Sequence, residues 1–212
     1  LFVCPRSWAM AGLSLWARST LVWLRLICGI RMRVEGREHL LAGPCLYAGK
    51  HQSVWETFAI IPLLTDPAIV LKRELTFIPL FGWFALKFRM LAVNRGAGPK
   101  ALRSLISAAK AAKAEGRAIV IFPEGTRRAP GAAPDYKPGA TALYAALDLP
   151  CVPFALNSGC FWPRRSFLRH PGTITIAFLP PIPPGLARRD FASRLESTIE
   201  HASARLLAQT EL

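Results

Sequence analysis

Short apolar runs, separated by segments with helical spacing, constrain the fold of this chain more than any other feature. Several of these runs are continuous rather than alternating, which is typical of strands buried on both faces of a sheet. The runs cover residues 45–48, 68–71, 118–122 and 151–156. Strands of this kind between helices predict an α/β fold, in which helices flank a central sheet.

Further periodic segments extend this pattern. Apolar residues recur at helical spacing over residues 102–112, and Gly116 is expected to cap that helix. Residues 173–178 alternate like a strand. A terminal amphipathic helix is predicted over residues 191–206, with Asp190 as its N-cap.

The N-terminal segment is the most apolar part of the chain, and arginines interrupt it. Its longest charge-free stretch covers only residues 7–17, whereas a bilayer span needs about 20 mostly apolar residues. Trp8, Trp16 and Trp23 instead favour one or two helices in a membrane interface, with a packed core helix as the alternative. We therefore predict an interfacial helical segment over residues 1–33 and a second domain over residues 34–212.

The chain is strongly basic as well as apolar. It has 27 Lys and Arg against 13 Asp and Glu, a net charge of +14, and 52% hydrophobic residues. This composition excludes an intrinsically disordered chain and suits an anionic surface, either membrane lipid or nucleic acid. Because no RNP, helix-turn-helix or KH pattern occurs, we predict no nucleic-acid partner.

Cysteine and histidine spacing predicts neither a disulfide framework nor a metal site. The five cysteines form no C-x-x-C pair, and the four histidines lack the spacing of metal ligands. We therefore predict reduced thiols on the cytosolic side, and no bound metal.

A histidine follows the first predicted strand, in the segment GKHQSVWET at residues 49–57. His51 is well sited for a general base, and Glu56 can orient it. A continuous helix would separate the two by about 140°, so the pair requires His51 to lie in the loop before the helix. Ser53 and Glu56 also match an S-x-x-E capping box. Catalysis and capping both stay open, and they do not exclude each other.

Cations follow the next predicted strand. Lys72 and Arg73 precede an aromatic segment at residues 78–83, and Arg95 comes later. They are candidates for binding phosphate or stabilising an oxyanion, with a solvated surface as the alternative.

The segment FPEGTRR at residues 122–128 ends a third strand. Gly125 permits a tight turn with exposed backbone amides, and Arg127 can bind a phosphate in bidentate fashion. An ordinary turn with surface arginines is the alternative. In the fourth segment, Pro153 inside an apolar run predicts an edge strand or a bulge.

In order and spacing, these four segments resemble the motif blocks of the glycerolipid acyltransferases, most closely the bacterial 1-acyl-glycerol-3-phosphate acyltransferases. The resemblance covers about residues 45–160. Its most specific parts are the H-x-x-x-x-D/E box at His51 and Glu56 and the F-P-E-G-T-R run ending at Arg127. It implies a glycerol-phosphate-acyltransferase-like sheet flanked by helices over residues 34–212, after a membrane-associating helical segment.

The resemblance also implies an activity, the transfer of a fatty acyl group from a thioester to the sn-2 hydroxyl of 1-acyl-glycerol-3-phosphate. The product would be phosphatidate, in phospholipid synthesis. By this analogy His51 is the catalytic base, Glu56 orients it, and no acyl-enzyme forms. The residues matched to substrate binding are Lys72, Arg73, Arg95, Glu124, Gly125, Thr126 and Arg127.

The implied partners are a membrane lipid acceptor, lysophosphatidate, and a soluble donor. No cofactor is bound; the co-substrate is an acyl-CoA or acyl-carrier-protein thioester, which makes acyl carrier protein a candidate partner. The implied location is the cytosolic face of the inner membrane. The alternatives are another lyso-lipid acceptor or a non-catalytic lipid-binding protein.

Two positions depart from the family pattern. Glu56 stands where the family most often has Asp, and Lys50 replaces the usual Asn before the histidine. Because the other blocks are intact, we interpret the site as an active variant.

Overall fold

The computed structural model describes residues 4–210 and contains one mixed sheet flanked by helices. Its strands, in chain order, are β1 Ile30–Glu35, β2 Leu46–Gly49, β3 Ala68–Lys72, β4 Leu91–Val93, β5 Ile119–Ile121, β6 Cys151–Leu156 and β7 Gly172–Phe178. The helices are α1 Arg6–Cys28, α2 Trp55–Ala59, α3 Phe81–Lys87, α4 Gly98–Ala114, α5 Gly139–Leu147, α6 Ser158–Phe161 and α7 Arg188–Ala208. The predicted α/β fold with flanking helices is therefore confirmed.

The strand order places the carboxyl ends of five strands at one edge of the sheet. The order is β1-β7-β6-β2-β5-β3-β4, and only the β6–β7 pair is antiparallel. Strands β2 to β6 therefore all run the same way. Because each polar segment follows one of these strands, the fold gathers the segments at one edge, where α/β sheets bind ligands.

Two hydrophobic layers cover the faces of the sheet. One contains residues of α1, α2 and α6, including Ala17, Trp55 and Phe161, and the other contains residues of α4, α5 and α7. Burial on both faces explains why the central strands are continuous apolar runs, and why β6 is buried at every position.

Residues 1–3 of the predicted N-terminal segment lie outside the described residues, and the described part is one helix followed by a strand. Gly29 ends α1 in the left-handed conformation, with φ of 66°. Residues 30–33 therefore lie in β1, paired with β7, rather than in the predicted helical segment. The division of the chain at residue 33 stays a prediction. Among residues 4–210, no helix combines the length and the apolar character that crossing a bilayer requires.

Two predicted details were wrong, and one was confirmed. Asp190 lies in the first turn of α7 instead of capping it, because Ala187 is the last extended residue before the helix. Pro153 lies in a central strand rather than at an edge. Its carbonyl accepts from the Leu179 N–H on the β7 side. Because the nitrogen of a strand residue faces the same neighbour as its carbonyl, the absence of an N–H on Pro153 removes no hydrogen bond between β6 and β2. Gly116 ends α4 with φ of 74°, as predicted.

Candidate active site

A histidine–glutamate pair lies where β2 leads into α2, with His51 in the connecting loop and Glu56 in the first turn of the helix. His51 Nδ1 is 2.8 Å from Glu56 Oε1, and the Glu56 side chain is fully buried. The required placement of His51 before the helix is therefore met. A carboxylate only accepts hydrogen bonds, so Nδ1 carries the proton and Nε2 keeps its lone pair.

Glu56 is held by three further donors. The backbone N–H groups of Gln52 and Ser53 donate to Oε1 at 2.6 and 2.7 Å, and the Ser158 hydroxyl donates to Oε2 at 2.8 Å. Glu56 thus accepts from the Ser53 N–H, as the capping box predicts, and also from His51. One carboxylate orders the loop, begins the helix and orients the imidazole.

The FPEGTRR segment packs directly against His51. The Phe122 ring stacks on the imidazole with a centroid separation of 4.3 Å, and the Arg128 N–H donates to the His51 carbonyl at 2.8 Å. The imidazole is therefore held by Glu56 at its Nδ1 edge and by Phe122 at one face.

Lys50 forms a buried ionic network behind the pair. Its ammonium is 3.0 Å from Glu124 Oε1 and 2.8 Å from Glu200 Oε1, and the Tyr136 hydroxyl donates to Glu200 at 2.9 Å. Burial raises the pKa of Glu124, and the charge of Lys50 opposes that rise. The Glu124 carboxylate, which the family resemblance matches to acceptor binding, is thus engaged by Lys50 inside the protein.

The cations predicted to bind substrate differ in their exposure and in the contacts that they make. Lys72 and Arg73 are exposed at the end of β3, with Lys72 Nζ 3.7 Å from the Glu74 carboxylate. Arg95 donates to the carbonyl of Gly125, and loss of solvent around Arg95 lowers its pKa. The contact links the loop after β4 to the loop after β5.

Arg127 is half-buried, next to the exposed Thr126. Among the side chains of residues 4–210, none forms a hydrogen bond or ion pair with its guanidinium. Since its donors are uncommitted, Arg127 is suited to bind an anionic group.

Several residues that support the site were not predicted from the sequence. Ser158 bonds Glu56 across 102 positions of sequence, and the Gln52 side chain accepts from the Gly159 N–H at 3.0 Å. Glu200 and Tyr136 complete the network of Lys50. The one available signal was position, because Ser158 lies just beyond the fourth polar segment. Within the described residues, no three His, Cys, Asp or Glu side chains cluster as metal ligands would.

Comparisons with known proteins found a family model and relatives with similar sequences. The family model described as "Acyltransferase" matches residues 31–157. A 1-acyl-sn-glycerol-3-phosphate acyltransferase from Pseudomonas aeruginosa is 36% identical over 78% of this chain and 64% of its own length. The human beta form of the same enzyme is 27% identical over 80% of this chain and 62% of its own length. The chain thus spans less than two thirds of either relative.

A solved structure shares the fold. The crystal structure of the 1-acyl-sn-glycerophosphate (LPA) acyltransferase PlsC from Thermotoga maritima superposes with a TM-score of 0.81. The match covers 98% of this chain and 83% of that one, at 20% sequence identity. The similarity therefore extends over the whole sheet and its flanking helices.

Proposed function

Because the chain belongs to the acyltransferase family, we propose that it transfers a fatty acyl group from a thioester to the sn-2 hydroxyl of 1-acyl-glycerol-3-phosphate. The product is phosphatidate. The observation that carries this proposal is the contact between His51 Nδ1 and the buried Glu56. The 36% identical relative bears the name of the same reaction.

The site residues suggest a direct transfer. His51 Nε2 removes the proton of the acceptor hydroxyl while the oxygen attacks the thioester carbonyl. The tetrahedral intermediate then collapses, the C–S bond breaks, and the thiolate takes the proton back from the imidazolium. Glu56 stabilises the imidazolium, which carries positive charge only during the reaction. No covalent acyl-enzyme is required.

Different cations around the His51–Glu56 pair bind the different anionic groups of the reaction. In this proposal Arg127 binds the acceptor phosphate, and Lys72 with Arg73 stabilises the oxyanion or holds the acceptor. Arg95 donates a hydrogen bond to the Gly125 carbonyl, which supports the turn there, and it adds positive charge beside the acceptor phosphate. Gly125 and Thr126 contribute the backbone of that turn.

The surface near the site fits a lipid acceptor. The outer face of α1 exposes large apolar side chains, which are Trp8, Leu15, Trp16, Val22, Trp23, Leu26 and Ile27. The segment around α3 exposes Phe77, Leu80, Phe81, Trp83 and Leu86. The Lys87 ammonium donates to the Cys4 carbonyl at 2.7 Å, which places these two surfaces side by side. We propose that both lie in the interface of the inner membrane, on its cytosolic face.

The donor is an acyl-CoA or an acyl-carrier-protein thioester, and no bound cofactor is needed. The test is conversion of lysophosphatidate to phosphatidate by protein in liposomes, with each donor supplied separately. We expect product from the wild type, loss of product in His51→Ala, and wild-type rates in His201→Ala, an exposed histidine on α7.

Other results would contradict the proposal. Product only from a different lyso-lipid would change the acceptor and leave the chemistry intact. No product with any lyso-lipid and either donor would favour a non-catalytic lipid-binding protein.

A further inference from the structure

The loop between α6 and β7 exposes two large apolar side chains at its tip. Phe167 has a relative exposure of 101% and Leu168 of 69%. Single exposed apolar residues are common on soluble proteins, but adjacent ones at a protruding tip indicate a surface that something covers.

The tip has a defined conformation. The Leu168 N–H donates to the Ser166 hydroxyl at 3.0 Å, and the Arg169 guanidinium donates to the carbonyls of Ser166 and Leu168 at 2.7 and 2.9 Å. The same guanidinium lies 3.9 Å from the Trp162 ring centroid. Hydrogen bonds within the loop therefore order its backbone, and the side chains of Phe167 and Leu168 remain exposed.

The surroundings of the tip are basic. Arg164 and Arg165 are exposed beside it, and no acidic residue occurs between Asp148 and Asp190. Residues 1–34, which include α1, also lack acidic residues. A cleft of about 560 Å³ between α1 and the end of the loop is lined by Arg25 and Arg31. This charge complements an anionic surface.

Both ends of the loop lie near α1. Trp162 packs against Phe58 with ring centroids 6.1 Å apart, and Phe58 packs against Trp16 of α1 at the same separation. At the other end, the Gly172 N–H donates to the carbonyl of Gly29, directly after α1. One end of the loop is thus linked to α1 through Phe58, and the other end is bonded to the residue that follows α1, the helix that the proposed function places in the membrane.

We infer that residues 162–170 form a further membrane-binding element, in addition to α1 and the segment around α3, which inserts Phe167 and Leu168 into an anionic bilayer. Arg164 and Arg165 then meet lipid phosphates at headgroup depth. This inference rests on the proposed function. The Arg164 guanidinium donates to the Arg127 carbonyl at 3.2 Å, so the inserted loop holds the proposed phosphate-binding residue at the depth of the lipid acceptor.

The first test measures binding of the full chain to vesicles of phosphatidylcholine with 30% phosphatidylglycerol, a composition of about one anionic lipid in three. We expect Phe167→Ser with Leu168→Ser to weaken binding about tenfold, and Phe167→Trp to retain it. Arg164→Gln with Arg165→Gln should weaken binding several-fold. The control is Arg103→Gln with Lys110→Gln on α4, on the opposite layer of the sheet, which should bind like the wild type.

Three outcomes would overturn the inference. The tip variants could bind vesicles as tightly as the wild type. The α4 control could lose as much binding as the Arg164 and Arg165 variant, which would mean a general charge effect. Binding could also stay normal while the KM for an acyl-carrier-protein donor rises, which would make the loop a protein-docking site.

A rate measurement separates this inference from the proposed activity. The tip variant should lose rate with vesicle-borne lysophosphatidate, and keep it with short-chain lysophosphatidate dissolved below its critical micelle concentration. An equal loss with both substrates would contradict a membrane role. If the wild type acylates no lyso-lipid, the proposed function fails, while the vesicle-binding result stands by itself.

Discussion

At the scale of single residues, Glu56 is shared between the imidazole and the backbone. Its Oε1 atom receives hydrogen bonds from His51, Gln52 and Ser53. Glu56 is one methylene longer than the Asp usual in the family, and its carboxylate still reaches His51 Nδ1 at 2.8 Å from the first turn of α2. The departure from the family pattern therefore leaves the pair assembled.

Glu56→Gln should separate the two roles of this side chain. The amide oxygen can still accept from the Gln52 and Ser53 N–H groups, but it has no charge to stabilise the imidazolium. We expect the acylation rate to fall about 10²- to 10⁴-fold with a small change in melting temperature. Glu56→Ala should lose the rate and also about 2–4 kcal/mol of unfolding free energy, because buried N–H groups lose their acceptor. A wild-type rate in Glu56→Gln would leave capping as its role.

Lys50→Met should destabilise the protein in a pH-dependent way. It leaves Glu124 buried without its cation, at a cost of about 3–5 kcal/mol at neutral pH. Burial raises the pKa of Glu124, and loss of Lys50 raises it further, so the folded state binds this proton more tightly than the unfolded state. The loss of unfolding free energy in Lys50→Met, relative to the wild type, should therefore be largest near pH 8 and shrink as the pH falls through the pKa of Glu124.

Urea unfolding of Lys50→Met between pH 5 and 8, beside the exposed control Lys110→Met, measures this effect. A deficit that is independent of pH would show that Glu124 is not the group left unpaired.

At the scale of elements, α1 combines the two alternatives that the sequence left open. Ala9 and Ala17 are fully buried against the domain, whereas Trp23 and Ile27 are exposed. One side of the helix packs on the core, and the other side is free to meet a membrane. Deletion of residues 1–30 would therefore remove core contacts together with the proposed membrane surface, so point substitutions are the better test.

Substitutions on the exposed side of α1 should weaken membrane binding, whereas substitutions on its buried side should lower stability. Trp23→Gln with Ile27→Gln should weaken vesicle binding about tenfold or more and leave the melting temperature nearly unchanged. Ala17→Leu should cost about 1–3 kcal/mol of unfolding free energy through overpacking, with normal vesicle binding at temperatures where it is folded. Vesicle sedimentation and thermal unfolding measure the two effects. Vesicle binding unaffected by the outer-face substitutions would argue against α1 as a membrane helix.

At the scale of the whole molecule, Arg117 joins distant parts of the chain. Its guanidinium is nearly fully buried and donates to the carbonyls of Phe88 and Arg89 at 2.9 and 3.0 Å. It also forms an ion pair with Asp66, which Arg6 of α1 contacts from the other side. Burial alone would raise the pKa of Asp66, but these two arginines outweigh it and lower the pKa.

Arg117→Met should therefore cost about 3–5 kcal/mol of unfolding free energy, since buried carbonyls and a carboxylate lose their donor. The matched control is Arg103→Met, an exposed arginine on α4, which should change stability by less than about 0.5 kcal/mol. Chemical denaturation of both variants checks this. A similar small effect in both would mean that the network around Arg117 adds little stability.

The strands differ in how well the local sequence pattern predicted them. The continuous runs at β2, β3, β5 and β6 were predictable because burial on both faces leaves no polar position in them. The strand β4 was missed because it is short and, unlike the equally short β5, has only its first residue buried. The strand β1 was missed because it alternates with exposed arginines beside a helix. Both are edge strands, where fewer residues need to be apolar.

The sequence by itself determined the layer architecture and the family resemblance, because each follows from patterns within short segments. It also predicted the pairing of His51 with Glu56, on the condition that His51 lies in the loop before the helix. The tertiary structure decided that Ser158 bonds Glu56 and that Lys50 holds Glu124 and Glu200 together. These contacts join segments separated by tens to more than a hundred positions. No local periodicity encodes them, since they follow from strand order and helix packing.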